Sequence, residues 1–552
     1  MFVLVSVVLA TVVSCQTQQK ADLLLIHGKI YTVDSAFTRA EALAVKDGKI
    51  LAVGSDAEMQ KNYTAAETVD LGGKAVYPGF IDAHGHFVGY GSSLFTAALY
   101  GSTSFEEVVQ RVKQFAAGHP GLAWVQGRGW DQNKFPSKEF PDNTLLNQAF
   151  PSTPVVLERV DGHALIANAK ALELAGIRPG QTLVGGTVET KKGKLTGILV
   201  DNAQGLLRHA MPEMTAGAFQ ERIHSAEQHC FAQGLTTVTD PGLGRQEVEG
   251  LDSLQRQGVL KMRVYVMLRD DKEVLDHYLA KGPYKTELLY VKGVKAYADG
   301  ALGSRGACLL QPYTDRPDWR GFLLSPMAHF DSLAARLIGT DWQLCTHAIG
   351  DSGNRMILTV YNKYLKGKND KRWRVEHAQV INEADFDLFG KTSVIPSVQP
   401  THATSDMYWA GERLGPERLK GAYAFKRLLR QNGWIPLGTD FPVEDISPFK
   451  TFLAAVFRVD AKGYPTGGFQ MENALSREEA IRGMTIWAAK ADCLEKEIGS
   501  LEPGKTADIV VLDKDLMTVG QGDVLATQVV ATLAAGKEVY GKLGLSKAVV
   551  GR

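Results

Sequence analysis

Two histidines one residue apart, His84 and His86, close an apolar run at 76–87 (VYPGFIDAHGHF). On a β-strand, side chains alternate between faces, so residues i and i+2 project together. Two imidazoles converging at a strand end form half of a metal site, because neutral imidazole is a favoured ligand of divalent transition metals. HxH alone is a short pattern that also suits a surface loop. Its weight comes from reactive residues at or near the ends of other apolar runs. Lys295 lies in 291–298 (VKGVKAYA), His347 closes 342–347 (WQLCTH), His377 sits near the end of 373–378 (WRVEHA) and Asp440 closes 435–440 (IPLGTD). Imidazole and carboxylate without thiolate suit Zn²⁺, with Mn²⁺ and Fe²⁺ as alternatives. Such an ion lowers the pKa of a bound water to about 7 and so supplies a nucleophile for hydrolysis. Cys345, two residues before His347 on the same strand face, reads as packing.

These residues need a scaffold that brings distant strand ends together. Eight apolar, β-branched runs alternate with helical or loop segments: 76–84, 235–240, 262–268, 291–298, 342–347, 373–378, 393–399 and 435–440. That series predicts an α/β fold of the (β/α)8 TIM-barrel type, whose reactive groups gather at the C-terminal strand ends. The first gap is too long for a loop. It carries strand-like runs at 124–127, 155–159 and 195–199 and a helical run at 167–175, so it reads as a domain inserted over the barrel mouth. Within it His163 is a candidate substrate contact, as are Tyr297 and Arg305 beside the fourth strand. The loop-like GRGWD at 127–131 suits either a lid or a packed turn. Both chain ends are rich in short strands turning at glycine, including Asp47-Gly48, and neither set can stand alone. Together they predict a composite β-sandwich, with Pro78-Gly79 as its joint to the barrel. The expected division is 1–20 signal and tether, 21–77 with 498–545 sandwich, 78–100 with 216–497 barrel, and 101–215 insert.

Composition narrows the function. The chain has 552 residues, 45% apolar and 22% charged, as expected for a globular protein with a large core. Lysine plus arginine and aspartate plus glutamate number 61 each, which argues against nucleic-acid binding. Five cysteines without a CxxC pair exclude a disulfide scaffold and a thiolate zinc site. No GxGxxG follows a strand to open a helix, which disfavours a nicotinamide dehydrogenase. The expected partner is a small molecule, and a homo-oligomer is compatible with the sequence.

Residues 2–13 form an apolar run of signal-peptide length, ending in VVSC at 12–15 and a polar tether. The segment resembles a bacterial lipobox, which implies lipidation at Cys15 and an envelope or periplasmic location, with the outer membrane favoured. No lysine or arginine precedes the run, a departure from that pattern, and a cytoplasmic protein is the alternative.

The order HxH, Lys, His, His, Asp is similar to that of the metal-dependent amidohydrolase superfamily. PGFIDAHGHF resembles its opening motif. The large insert with VKAYADGALGS, THAIGD, RVEHAQ and LGTDFPVE resembles the amidohydrolase 3 branch, which contains N-substituted formamide deformylase. The resemblance implies that His84 and His86 bind one metal and that His347 and His377 bind the second. It implies that Lys295, carbamylated by CO2, bridges them, and that Asp440 binds metal and takes the proton from the attacking water. The expected activity is hydrolysis of a non-peptide C–N bond in a small amide, such as an N-substituted formamide. A deaminase of cyclic amidines, or an esterase or lactonase, would use the same centre. A non-catalytic regulator on the same scaffold is the alternative of another class.

Overall fold

The structure, a computed structural model, describes residues 18–543. The expected signal segment and Cys15 lie outside the described residues. Among those described, no helix is long and apolar enough to cross a membrane.

The central sheet runs β1 (Phe80–Asp82), β2 (Leu235–Leu243), β3 (Arg263–Arg269), β4 (Leu289–Tyr297), β5 (Gln343–Ala348), β6 (Arg374–His377), β7 (Ile395–Ser397), parallel with neighbours in chain order, and the short strand Tyr284–Lys285 adds one antiparallel pairing to β4. Parallel neighbours need a crossover. Helices Arg245–Arg256, Lys272–Leu279, Met327–Leu337, Asp351–Leu365 and Phe386–Lys391 supply those between β2 and β7. Every residue of β5, β6 and β7 is buried, which explains their continuous apolar runs.

The eighth expected strand makes no ladder. Its Leu437 forms a single parallel bridge to Val398. Around that bridge the segment still spans the gap between β7 and β1. The Gly438 N–H donates to the Val398 carbonyl (3.0 Å), the Ala83 N–H to that of Leu437 (3.2 Å) and the Asp440 N–H to that of His84 (2.6 Å). Pro436 has no N–H to donate, which limits the segment to scattered bonds.

The first expected strand is split. Ala75–Pro78 pairs antiparallel with Ile509–Leu512, whereas Phe80–Asp82 pairs with β2. Gly79 makes the change of partner. A Cβ there would lie 2.4 Å from Thr236 Oγ1, so the approach to β2 requires glycine.

Ala75–Pro78 thus belongs to a six-stranded sheet with Lys29–Tyr31 and Arg39–Ala40 from the N-terminal part and Ile509–Leu512, Val529–Ala534 and Lys537–Gly541 from the C-terminal part. A four-stranded sheet holds Gln19–Ile26, Ala42–Lys46, Lys49–Gly54 and Tyr63–Asp70. One apolar cluster draws Leu23, Leu43 and Val45 from the four-stranded sheet and Val76, Ile509 and Leu533 from the other. The N-terminal strands up to residue 54 pair with one another antiparallel, and Gln19–Ile26 also takes Tyr63–Asp70 as a parallel neighbour.

A third sheet, seven-stranded, spans Ala97–Ala98 to Lys194–Asp201. Val125, Leu157, Ile166 and Ile198 form a core with the helix Phe105–Gly118, while Leu165, Leu172 and Leu199 form a second cluster. The expected helix at 167–175 is Ala169–Leu174.

Candidate metal centre

His84 and His86 do not lie on the strand. β1 ends at Asp82, and His86 is the residue that caps helix Phe87–Ser93. Backbone bonds to neighbouring strand ends fix the pair in place of strand alternation. The Gly85 N–H donates to the Thr239 carbonyl (3.0 Å) and the His86 N–H to that of Phe441 (2.8 Å). A side chain at position 85 would come within 2.4 Å of the Phe441 ring.

Four of the six expected residues are tightly assembled around His84. The Lys295 Nζ lies 3.2 Å from His84 Nε2. Asp440 Oδ1 lies 3.2 Å from His86 Nε2 and 3.7 Å from His84 Nε2. His377 follows, with its ring centroid 4.9 Å from that of His84 and 4.5 Å from that of His347. His377 and Asp440 both adopt left-handed backbone conformations, φ 72° and 64°, which L-residues accept only when the surroundings impose them.

The outer ring nitrogens are anchored. His84 Nδ1 donates to Glu376, and Glu376 is itself paired with the wholly buried Arg374 at 2.7 Å. His377 Nδ1 donates to Gln399 Oε1 (2.8 Å). A bond at Nδ1 fixes the tautomer and leaves Nε2 as a free lone pair, as a ligating histidine needs. Asp440 Oδ1 and His347 Nε2 are buried without a hydrogen-bond partner among the described residues. Orphaned acceptors of this kind fit a cation, which would satisfy them. His84, His86 and Asp440 form a trio able to hold one.

Burial shapes the electrostatics. It lowers the His84 pKa to about 4, with Lys295 adding to the effect. It also holds His347 and His377 well below the usual imidazole range, so all three rings are neutral at pH 7. Lys295 falls to about 8 for the same reason. Burial would raise Asp440, but the imidazoles of His402 and His86 outweigh it and keep the carboxyl well below its ordinary value. Glu376 is likewise lowered against its burial, by Arg374 and His84.

The centre opens into a cavity of about 590 Å³ whose wall joins His347, His377 and Asp440 to Tyr100, Arg159 and His163 of the third sheet's segment and to Trp409 and Ile446. His163 reaches the centre, with its ring 4.9 Å from that of His347 and its Nδ1 2.6 Å from Asp201 Oδ1. Tyr297 packs its ring 5.6 Å from His347 but is not part of the cavity wall. Arg305 pairs with Asp315 at 2.9 Å, and Ala301, Leu302 and Gly303 are the residues of its segment that line the cavity. Asp131, from the GRGWD stretch, lines the wall and pairs with Arg159 at 2.5 Å. Cys345 is buried with its Sγ 3.3 Å from Gln343 Oε1, in keeping with packing.

Residues 67–540 match the amidohydrolase family. The chain belongs to that family. It is 34% identical over 541 residues to protein LONG AFTER FAR-RED 3 of Arabidopsis thaliana, across 94% of this chain and 92% of the other. It is 26% identical over 550 residues to N-substituted formamide deformylase of Arthrobacter pascens, across 95% and 99%. The crystal structure of an uncharacterized metal-dependent hydrolase from Pyrococcus horikoshii superimposes with a TM-score of 0.74 at 29% identity, over 91% of this chain and 99% of that one.

The amidohydrolase centre also contains residues that the sequence pattern did not mark. His402 opens toward Asp440 Oδ2 at 3.3 Å and toward Glu444 at 3.2 Å. Burial disfavours its cation, but the two carboxylates prevail and raise its pKa to about 10. Its place just after β7, in SVQPTH, was the available signal: a histidine a few residues beyond a strand end rather than on it. Glu376 precedes His377 directly and was hidden as an ordinary strand residue.

Proposed function

We propose that this amidohydrolase is a metal-dependent hydrolase that cleaves a non-peptide C–N bond of a small amide, an N-substituted formamide or a close relative. The observation that carries the reading is the buried Asp440 Oδ1, without a hydrogen bond and flanked by the nitrogens of His84 and His86. The likeness to a formamide deformylase supports the bond type. In this reading the parallel sheet is a (β/α)8 barrel closed by segment 435–440, the third sheet is the insert over its mouth, and the two terminal sheets form one sandwich.

His84, His86 and Asp440 would hold a divalent ion, with Lys295, His347 and His377 close by for a second. Bound there, such an ion supplies Lewis acidity toward both water and the substrate carbonyl. The remaining work belongs to the chain. Asp440 is ionised at neutral pH, accepts a proton from the attacking water and returns it to the leaving nitrogen. The C–N bond breaks, and water's oxygen ends in the acid product while its protons are shared between acid and amine. Trp409, Tyr100 and Ile446 offer an apolar wall for the N-substituent and keep bulk water from the reacting carbonyl.

The test is metal analysis followed by a hydrolysis screen over formamides, N-acyl amino acids, lactams, cyclic amidines, lactones and esters. The expected result is bound metal and turnover of an amide. Turnover of esters or amidines alone would move the bond type, and a protein that takes up no metal would make the non-catalytic reading the leading one. Asp440→Asn should lower kcat by about 10²-fold or more. Unchanged turnover would exclude its role as base.

A further inference from the structure

The third sheet sets one imidazole against the metal centre from outside the central sheet. We propose that His163 binds the scissile amide group of the substrate through its Nε2, and that Asp201 is the positioning residue that holds the ring for this purpose. The inference rests on the amide reading above and adds to it the group that orients the bond to be cut. His163 belongs to neither trio of potential metal ligands, so the metal-holding residues stay as described.

Three observations carry it. First, the ring has one anchored nitrogen and one open one. His163 lies on the turn between the strands Val155–Arg159 and Ala164–Ala167. Ala164 pairs with Val200, which sets residue 163 opposite Asp201, and the Asp201 N–H donates to the His163 carbonyl (2.9 Å). The side chains repeat the link, with Nδ1 2.6 Å from Asp201 Oδ1. Asp201 is buried and the imidazole lines the cavity, so Nε2 is the nitrogen left to face it. Among the described residues Nε2 has no hydrogen-bond partner. The ring centroid lies 4.9 Å from that of His347, which places the ring beside the centre and not at the outer rim of the cavity.

Second, Asp201 is held at a cost. Its backbone is left-handed, φ 50°, and its Oδ2 is buried without a hydrogen-bond partner among the described residues. Both features lower stability, and strain of this kind persists at sites that use it. Third, the turn after β4 makes room for the carboxylate. A Cβ at Gly300 or at Gly306 would come within 2.5 and 2.7 Å of Asp201 Oδ2. The same turn supplies Ala301, Leu302 and Gly303 to the cavity wall, so the group behind His163 is seated between the third sheet and the cavity.

An amide suits the open nitrogen. It offers a donor at nitrogen and an acceptor at oxygen, so Nε2 finds a complement with or without its hydrogen. A hydrogen bond there fixes how the amide plane meets the attacking water, an orientation effect that acts on the chemical step. Its loss should therefore fall on kcat more than on KM.

The competing arrangement is a pair that only fastens the third sheet to the turn. A double-mutant cycle in the full chain separates the two, assayed with the amide that wild type hydrolyses fastest in the screen above. The variants are His163→Ala, Asp201→Asn, which keeps the shape and removes the charge, and the two combined. Each is checked for folding by circular dichroism and for metal by mass spectrometry. Each single variant should lower kcat by about tenfold or more at wild-type metal content. The double variant should lose no more than His163→Ala alone, because a residue that acts through another has no effect once that other is gone. Folded variants with wild-type kcat, losses that add in the double variant, or metal lost from His163→Ala would each overturn the proposal and leave the amide reading intact. Wild type that turns over no amide would remove both. If Asp201→Asn does not fold, imidazole added to His163→Ala decides: partial recovery of turnover is expected, and no recovery would overturn the proposal.

Discussion

At the scale of the residue, burial sets the chemistry of Lys295. Desolvation lowers its pKa from 10.5 to about 8. At pH 7 roughly one amine in ten is then neutral, against fewer than about one in a thousand for an ordinary lysine. Only the neutral amine attacks CO2, so carbamylation becomes accessible near neutrality. In protein exposed to ¹³C-bicarbonate, a carbamate resonance should rise through about pH 8 and vanish in Lys295→Ala. A rise only near pH 10.5, or no resonance at all, would remove the carbamate from the site. The linkage has a definite sign. Between about 8 and 10.5 the unfolded chain binds more protons than the folded one, so this residue's contribution to stability grows as pH rises through that window. The identities of His84, His86, Lys295, His347, His377 and Asp440 were legible in the sequence because each falls at or near the end of an apolar run. Glu376, Gln399 and Glu444 were not, since what distinguishes them is the nitrogen each one faces.

At the scale of the element, the runs were legible but their limits were not. A run of 76–84 looks like one strand, yet Pro78-Gly79 divides it between two sheets. Gly79→Ala should destabilise the protein by about 1–3 kcal/mol, because the new Cβ must displace Thr236 at 2.4 Å. A urea midpoint equal to wild type would show that the two sheets can shift apart there. The run 435–440 has strand composition and strand position but only one bridge, for the proline at 436 interrupts its donors. Its irregularity serves the site: the left-handed turn at Asp440 lets the carboxylate face imidazoles from two sides.

At the scale of the molecule, the segment between β1 and β2 completes the cavity. Arg159 crosses from its sheet to the wall and is paired with Asp131 and Asp161, each at 2.5 Å. With the Arg159 side chain only 2% exposed, Arg159→Met would leave two carboxylates without their cation. The expected cost is about 3–5 kcal/mol in unfolding free energy. Metal content should not change, since Arg159 pairs with Asp131, Asp161 and Gln132 and not with the histidines of the centre. Wild-type stability would mean that water takes over the pairing.

The sequence by itself determined the parts: eight apolar runs, a gap too long for a loop, strand-rich ends, and six reactive residues at or near the ends of those runs. Those features are periodic or local, and periodicity reports which face of an element is buried. Tertiary structure alone decided that His402 joins the centre, that Arg305 pairs with Asp315, and that the two oxygens of Asp440 face different histidines. These outcomes depend on backbone torsions at turns and on which side chain lies opposite after folding. Neither is encoded in the spacing along the chain.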